Sequence, residues 1–279
     1  MFKKIVLFIL VFSLAGCSLS FMYNRAHWWA DWYLDDFVDL TSAQQDVFDQ
    51  QFEQWHLWHR NEQLPLYEAQ FALVKQQFEN GLGESGLTEA ALLEHVNAFE
   101  TFWRRLLKHV APELAQLAIT LSTEQKQQLI GNIRKNNQEK QQKWDEQSDE
   151  EKHQNFIDKQ VEQYQDWFGR LNRQQKQLIS EQSSLYVGTR GQWLQYQSDW
   201  LAAFEQALLA SDVDRVSSLI ARPYDLRSET LQQNVMRNRG LYVKNTYQLM
   251  LGLSEKQQRH LLSELDDYES TFRKLHQDY

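Results

Sequence analysis

Two Glu-x-x-His pairs, Glu53 with His56 and Glu150 with His153, are the residues of this chain best spaced for metal chemistry. At i, i+3 a carboxylate and an imidazole share one helix face, as in dinuclear helical bundles where two further Glu complete the set. The second pair lies in the polar run Asp145 to Asn155, where Ser148 and Glu151 already read as a capping box. In a chain rich in Glu and His such pairs also arise by chance, so no metal and no cofactor is assigned. The chain has no Gly-rich phosphate loop, no His-Glu-x-x-His helix and no Gly-x-Ser-x-Gly elbow. Asp35 and Asp36, like Asp266 and Asp267, are adjacent in sequence and diverge on a helix. The expectation is a noncatalytic protein with no catalytic residue.

The densest candidate for recognition runs from Trp55 to Tyr67. Trp55, His56, Trp58, His59 and Arg60 crowd one helix end, and Leu64, Pro65 and Tyr67 open the next helix, with the proline at a tolerated first-turn position. Two readings stand. His and Arg near a helix C-terminus complement its orphan carbonyls while the rings pack and Pro65 sets a corner. Alternatively Trp55, Trp58, His59, Arg60, Leu64, Pro65 and Tyr67 form a partner-binding pocket, since Trp, Tyr and Arg anchors dominate binding hot spots.

The elements that must position these residues are helices. Mature Pro is confined to Pro65, Pro112 and Pro223, and Gln, Glu, Lys, Leu and Ala dominate. The pattern predicts helices over 23–37, 42–63, 66–79, 89–120, 123–147, 149–169, 173–187, 193–210, 228–251 and 255–276. Breaks fall at Asn80 to Gly86, at Arg222-Pro223-Tyr224 and at Gly188 to Gly191, none long enough for a domain linker. The fold class is all-α, an elongated multi-helix bundle. The stretch 126–143 has few apolar residues and should be a solvated arm. The 10 Trp, 11 Tyr and 15 Phe can build a sizeable core.

At the N-terminus, Lys3 and Lys4, an apolar run from Ile5 to Leu14 and then Leu14-Ala15-Gly16-Cys17 describe a secretory signal too short to span a membrane. Leu-Ala-Gly-Cys resembles the bacterial lipobox. The resemblance implies a signal peptide over 1–16, a diacylglycerol on Cys17, and a mature helical domain over 17–279 facing the periplasm. Ser18, in place of an inner-membrane retention Asp, implies transfer to the outer membrane. Cys17 is the only cysteine, so no disulfide or thiolate site remains. The 29 basic residues face 38 acidic ones, and the signal holds two of the basic ones. That excess argues against nucleic acid or anionic headgroups as partners of the whole surface. Directly after the anchor, His27, Trp28, Trp29, Trp32 and Tyr33 either lie at the bilayer interface or pack as a core stripe.

Four pentapeptides share one pattern: 40–44, 121–125, 171–175 and 253–257, each with Leu first, a capping oxygen second and Gln fifth. Each is a capping box, whose Gln can reach back to the cap's own amide. Leu40 to Leu121 spans 81 positions and Leu171 to Leu253 spans 82. Tyr67 and Phe71 correspond to Tyr196 and Trp200 at a shift of 129. Duplication of a helical unit, with halves near 40–125 and 171–257, explains this; so does coincidence among common caps. The Leu-Thr-x-x-Gln form also resembles small periplasmic chaperones of the Spy and CpxP family, although those use a basic concave face. A wider resemblance, carried by Tyr23-Asn24, Asp35 to Leu40, Trp58-His59-Arg60, Leu64 to Tyr67 and the Arg222-Pro223 loop, is to an uncharacterised family of proteobacterial lipoproteins. That resemblance implies an all-helical lipoprotein without an assigned activity; the function expected of this chain is a noncatalytic, lipid-anchored scaffold or adaptor binding another envelope component, with a periplasmic holdase and a metal enzyme as alternatives.

Overall fold

The computed structural model describes residues 16–277, so the apolar leader lies outside the described residues. Helices α1 (Gly16–Asn24) and α2 (Ala26–Asp35) meet at Arg25. Then come α3 (Ser42–Trp58), a π-turn (His59–Gln63), α4 (Leu64–Glu79), α5 (Glu89–Ile119), α6 (Thr123–Asp145), α7 (Asp149–Phe168) and α8 (Arg173–Ser183). The chain continues through α9 (Arg190–Leu209), α10 (Val213–Ala221), a 3-10 turn (Pro223–Leu226), α11 (Glu229–Leu251) and α12 (Glu255–Gln277). The only extended pairing among the described residues is an isolated bridge between Leu82 and Leu87. It closes the glycine turn, where a Cβ at Gly86 would sit 2.0 Å from the Gly81 carbonyl oxygen. The fold is an all-α bundle, as the composition requires.

The four capping pentapeptides start α3, α6, α8 and α12, and their glutamines meet in pairs. Gln44 and Gln125 exchange amide hydrogen bonds at 3.1 and 2.8 Å, and Gln175 and Gln257 do the same at 3.1 and 2.9 Å. Each Nε2 also donates to the carbonyl just before its partner's Leu: Thr120, Asp39, Gly252 and Arg170. Each Oε1 accepts from its own cap's amide. One side chain therefore satisfies three backbone or amide groups and ties two helix starts together. Gln175 and Gln257 are buried, whereas Gln44 and Gln125 are half-buried. Gln257→Ala leaves dry donors and acceptors and should cost about 2 kcal/mol, roughly twice Gln125→Ala, where water replaces the amide. Urea denaturation of both variants checks this, and equal losses would contradict it.

The two clasped units interlock. The second helix of each packs on the last helix of the other, α4 on α12 and α9 on α6. The contacts correspond at a shift of 130 for the second helix and 132 for the last. Lys75 pairs with Asp266 at 2.5 Å, and their counterparts Glu205 and Arg134 pair at 2.9 Å with the charges exchanged. Arg60 reaches the end of α12 through the Leu275 carbonyl, and its counterpart Arg190 reaches the end of α6 through Gln141, 2.7 Å away, and the Trp144 ring.

Two larger apolar cores lie inside this frame. One joins Phe78, Leu87, Tyr164, Phe168, Leu171, Ile179, Leu249, Leu253 and Leu261. The other joins Ala115, Ile130, Leu201, Phe204, Leu208, Val216 and Leu219. The second core corrects two expectations. The arm 126–143 is not wholly solvated: Lys126 and Ile130 are buried, and Leu129 and Ile133 pack on α9 and α10. Helix α10, absent from the expected elements, forms because Asp212 caps Arg215 and places Val216 and Leu219 on one buried face.

Candidate functional site

The segment 55–67 does not turn a corner. α3, the π-turn and α4 follow without a loop, and the Leu64 amide donates to the His59 carbonyl, five residues back. An α-helix through this point would drive the Pro65 ring into the Asn61 carbonyl and leave that carbonyl without a donor. Opening one turn to i, i+5 relieves the clash, so Pro65 is accommodated by a bulge instead of ending a helix. The bulge also rotates His59 and Arg60 inward, toward α1 and α12.

Arg60 is only 5% exposed. Its guanidinium donates to the Leu275 carbonyl and, at 2.8 Å, to Asn24 Oδ1, and it lies 5.1 Å from the Tyr23 ring centre. Leu275 is in the last turn of α12 and Asn24 ends α1, so one cation answers a terminal carbonyl of α12 and the side-chain amide of the last residue of α1. Beside it His59 shares hydrogen bonds with the Tyr23 and Tyr67 hydroxyls, at 3.0 and 3.3 Å. Either tautomer of a neutral imidazole satisfies both hydroxyls. Burial, with His56 and Arg60 adding to it, pushes the His59 pKa down to about 4. Burial also lowers His56 and pushes Tyr67 up to about 12. These groups are held neutral, and Leu19, Leu64, Phe272 and Leu275 close an apolar cluster over them.

The other members of the segment point elsewhere. Trp55 is buried against Phe48. Trp58 stacks on His109 at 3.7 Å, with Arg105 lying 5.3 Å from its ring centre. Arg105 also binds the Glu62 carbonyl at 2.8 Å, and Gln63 donates to the Phe102 carbonyl, so α5 is fixed to the π-turn. The structure thus joins His59, Arg60, Leu64 and Tyr67, and separates them from Trp55 and Trp58. Tyr23, Asn24 and the Leu275 carbonyl, which complete the cluster, are far from it in sequence.

The Glu-x-x-His pairs do not converge. Glu53, Glu150 and His153 are exposed, and His153 contacts Ser183 at 3.3 Å. Among the described residues, the group of three acidic or His side chains whose ligand atoms lie within 4.8 Å of one another is His27, Asp31 and Asp49. His27 already engages both carboxylates, at 3.0 and 3.2 Å, and Gln45 bridges them, so the group clamps α2 to α3.

The two interlocking interfaces differ in one respect that bears on binding. Between α4 and α12 the rings of Tyr67, Phe71, Tyr268 and Phe272 fill the seam, with centres 5.0 to 5.6 Å apart for Phe71–Tyr268, Phe71–Phe272 and Tyr67–Phe272. At the same shifts the corresponding positions are Gln197, Leu201, Asn136 and Lys140, of which Gln197 and Leu201 line the seam between α9 and α6. That seam is an open groove of about 360 Å³, with Leu194, Leu201 and Ala202 among its walls, and Asn137, Gln138, Gln197 and Ser198 on its rim. Arg134 and Glu205 line it as well.

The groove had a signal in the sequence, the absence of rings at Gln197, Leu201, Asn136 and Lys140, which becomes legible only at the shifts of 130 and 132. No curated protein and no solved structure matches the chain. The model of a family of unknown function, DUF6279, matches residues 36–232, more than half of the chain, and the chain belongs to that family.

Proposed function

We propose that this protein is a noncatalytic, lipid-anchored adaptor of the bacterial cell envelope. In this reading an acylated Cys17 sits in the outer membrane, the body faces the periplasm, and the α6–α9 groove takes aromatic side chains from a partner envelope protein. The observation that carries it is the contrast between the seams: the chain fills one with its own four rings and leaves the equivalent space of the other open. Leu14-Ala15-Gly16-Cys17 supports the anchor. We also propose that the clasped halves descend from one duplicated unit, which the paired glutamines and the exchanged ion pair support. The pentapeptides that resemble Spy and CpxP are engaged in those clasps and lend the holdase alternative no separate support.

Filling the groove with aromatic side chains tests the adaptor. The triple variant Gln138→Tyr, Gln197→Tyr, Ser198→Phe, all at residues that line the groove, should stay folded. In-cell crosslinking of the wild type should yield one or two stoichiometric envelope partners that the folded triple variant loses. Partners retained by that variant, or a broad smear of clients, would overturn the adaptor. Alkyne-palmitate labelling should disappear in Cys17→Ser; an unlabelled wild type sinks the anchor.

A further inference from the structure

Helices α1 and α2 present two faces of unequal character. On one, Tyr23 reaches His56 and His59, and His27 reaches Asp31 and Asp49 and lies against Phe52. That face is held by the body. On the other, Phe21, Trp28 and Trp32 are 57%, 59% and 52% exposed. With Arg25 they recur at steps of four, three and four, which is one helical stripe. Arg25 interrupts the helix as the N-cap of α2, and its guanidinium bridges the break, lying 4.6 Å from the Phe21 ring centre.

We propose that this stripe is a membrane contact, lying in the headgroup region of the bilayer that holds the Cys17 lipid. The inference rests on the anchor reading above and goes beyond it, since it fixes how the body sits on the membrane. Three observations select lipid as the occupant. Position 17 is four residues before Phe21 and so falls in the same helical register, about 6 Å along the axis at 1.5 Å per residue. Trp and Phe are residues that settle at the membrane interface, and an Arg among them reaches up to the headgroups. Finally, no described helix is long and apolar enough to cross a membrane, and an amphipathic pair of this length meets a bilayer along its surface. The attraction is not electrostatic, because Asp31, Asp35 and Asp36 outnumber Arg25 on α2 and its borders.

The test uses the full-length protein purified from membranes and placed in vesicles of phosphatidylethanolamine and phosphatidylglycerol with brominated acyl chains. Mass spectrometry of Cys17 reads the anchor separately. Bromolipid quenching of tryptophan fluorescence in the wild type should fall about threefold in Trp28→Ala, Trp32→Ala, with unchanged circular dichroism, because these rings hold the interfacial positions. It should also be insensitive to salt and to the phosphatidylglycerol fraction. An acylated Cys17 with equal quenching in both proteins overturns the stripe and leaves the anchor standing. If Cys17 carries no lipid, the same vesicles with the unlipidated chain decide it: quenching lost in the double variant supports the stripe, and none in the wild type overturns it. Concentration-dependent dimers or a protein crosslink abolished by the double variant would show that another protein covers these rings, and would also overturn it.

Discussion

Arg60→Ala should lower the unfolding free energy by about 3 kcal/mol, because it removes a buried cation that answers two acceptors and leaves both in an apolar cluster. The Leu275 carbonyl and Asn24 Oδ1 belong to different helices, so no neighbouring side chain repairs both at once. Arg60→Lys should recover less than half of the loss, since a single ammonium cannot reach both acceptors with the geometry of a planar fork. The damage should be directional. Protection of α1 amides falls first, since Arg60 and Tyr23 hold that helix to the π-turn and α12. Urea denaturation of the two variants gives the ranking, and a loss below about 1 kcal/mol for Arg60→Ala would place Arg60 with ordinary surface cations.

The second large effect is a loss of stability in mild acid. Free imidazole takes its proton near pH 6.5, whereas His59 in the fold resists protonation down to about 4. Above pH 6.5 both states are neutral there and His59 contributes no pH dependence. As the pH falls through 6.5 the unfolded chain binds a proton that the folded chain does not, so the unfolding free energy declines with falling pH until the folded pKa is reached. A depression of this size corresponds to about 3 kcal/mol lost between pH 6.5 and 4. His56, lowered for the same main reason, acts in the same direction. His59→Gln keeps polar contact with the tyrosines but cannot titrate, so its stability should be flatter over that window. A wild-type slope retained in His59→Gln would assign the acid sensitivity to other groups.

Much of the fold was legible because its determinants are local. Thr41, Ser122, Ser148 and Asn172 mark helix starts that the structure reproduces as capping boxes, and each needs only four residues of sequence to recognise. The glutamines of the four pentapeptides were read as reaching their own caps. That they also reach each other across 81 and 82 positions is a tertiary fact no local pattern contains. Pro65 shows the opposite failure. A helix break was the local expectation, and packing of α3 and α4 against α5 and α12 favoured a π-turn that keeps one continuous rod. Likewise Val213 to Ala221 is short, and a helix there is decided by burial of Val216 and Leu219 more than by propensity. At the candidate site the chemistry-bearing types were visible in Trp58, His59 and Arg60, but their roles were set by Tyr23, Asn24 and Leu275.

Under the proposed anchor, an acylated Cys17 would not be a loose tether, because it opens helix α1, whose Leu19 is buried with Leu64, Phe272 and Leu275. The anchor would then fix the attitude of the whole bundle toward the bilayer, and with it the direction in which the α6–α9 groove faces. Hydrogen–deuterium exchange of the lipidated protein in vesicles tests this most directly. An integrated anchor helix predicts that the amides of 20–24 exchange as slowly as those at the C-terminal half of α12, and that Arg60→Ala accelerates both. Full exchange of 20–24 within seconds, with α12 still protected, would show a free tether and contradict a fixed attitude.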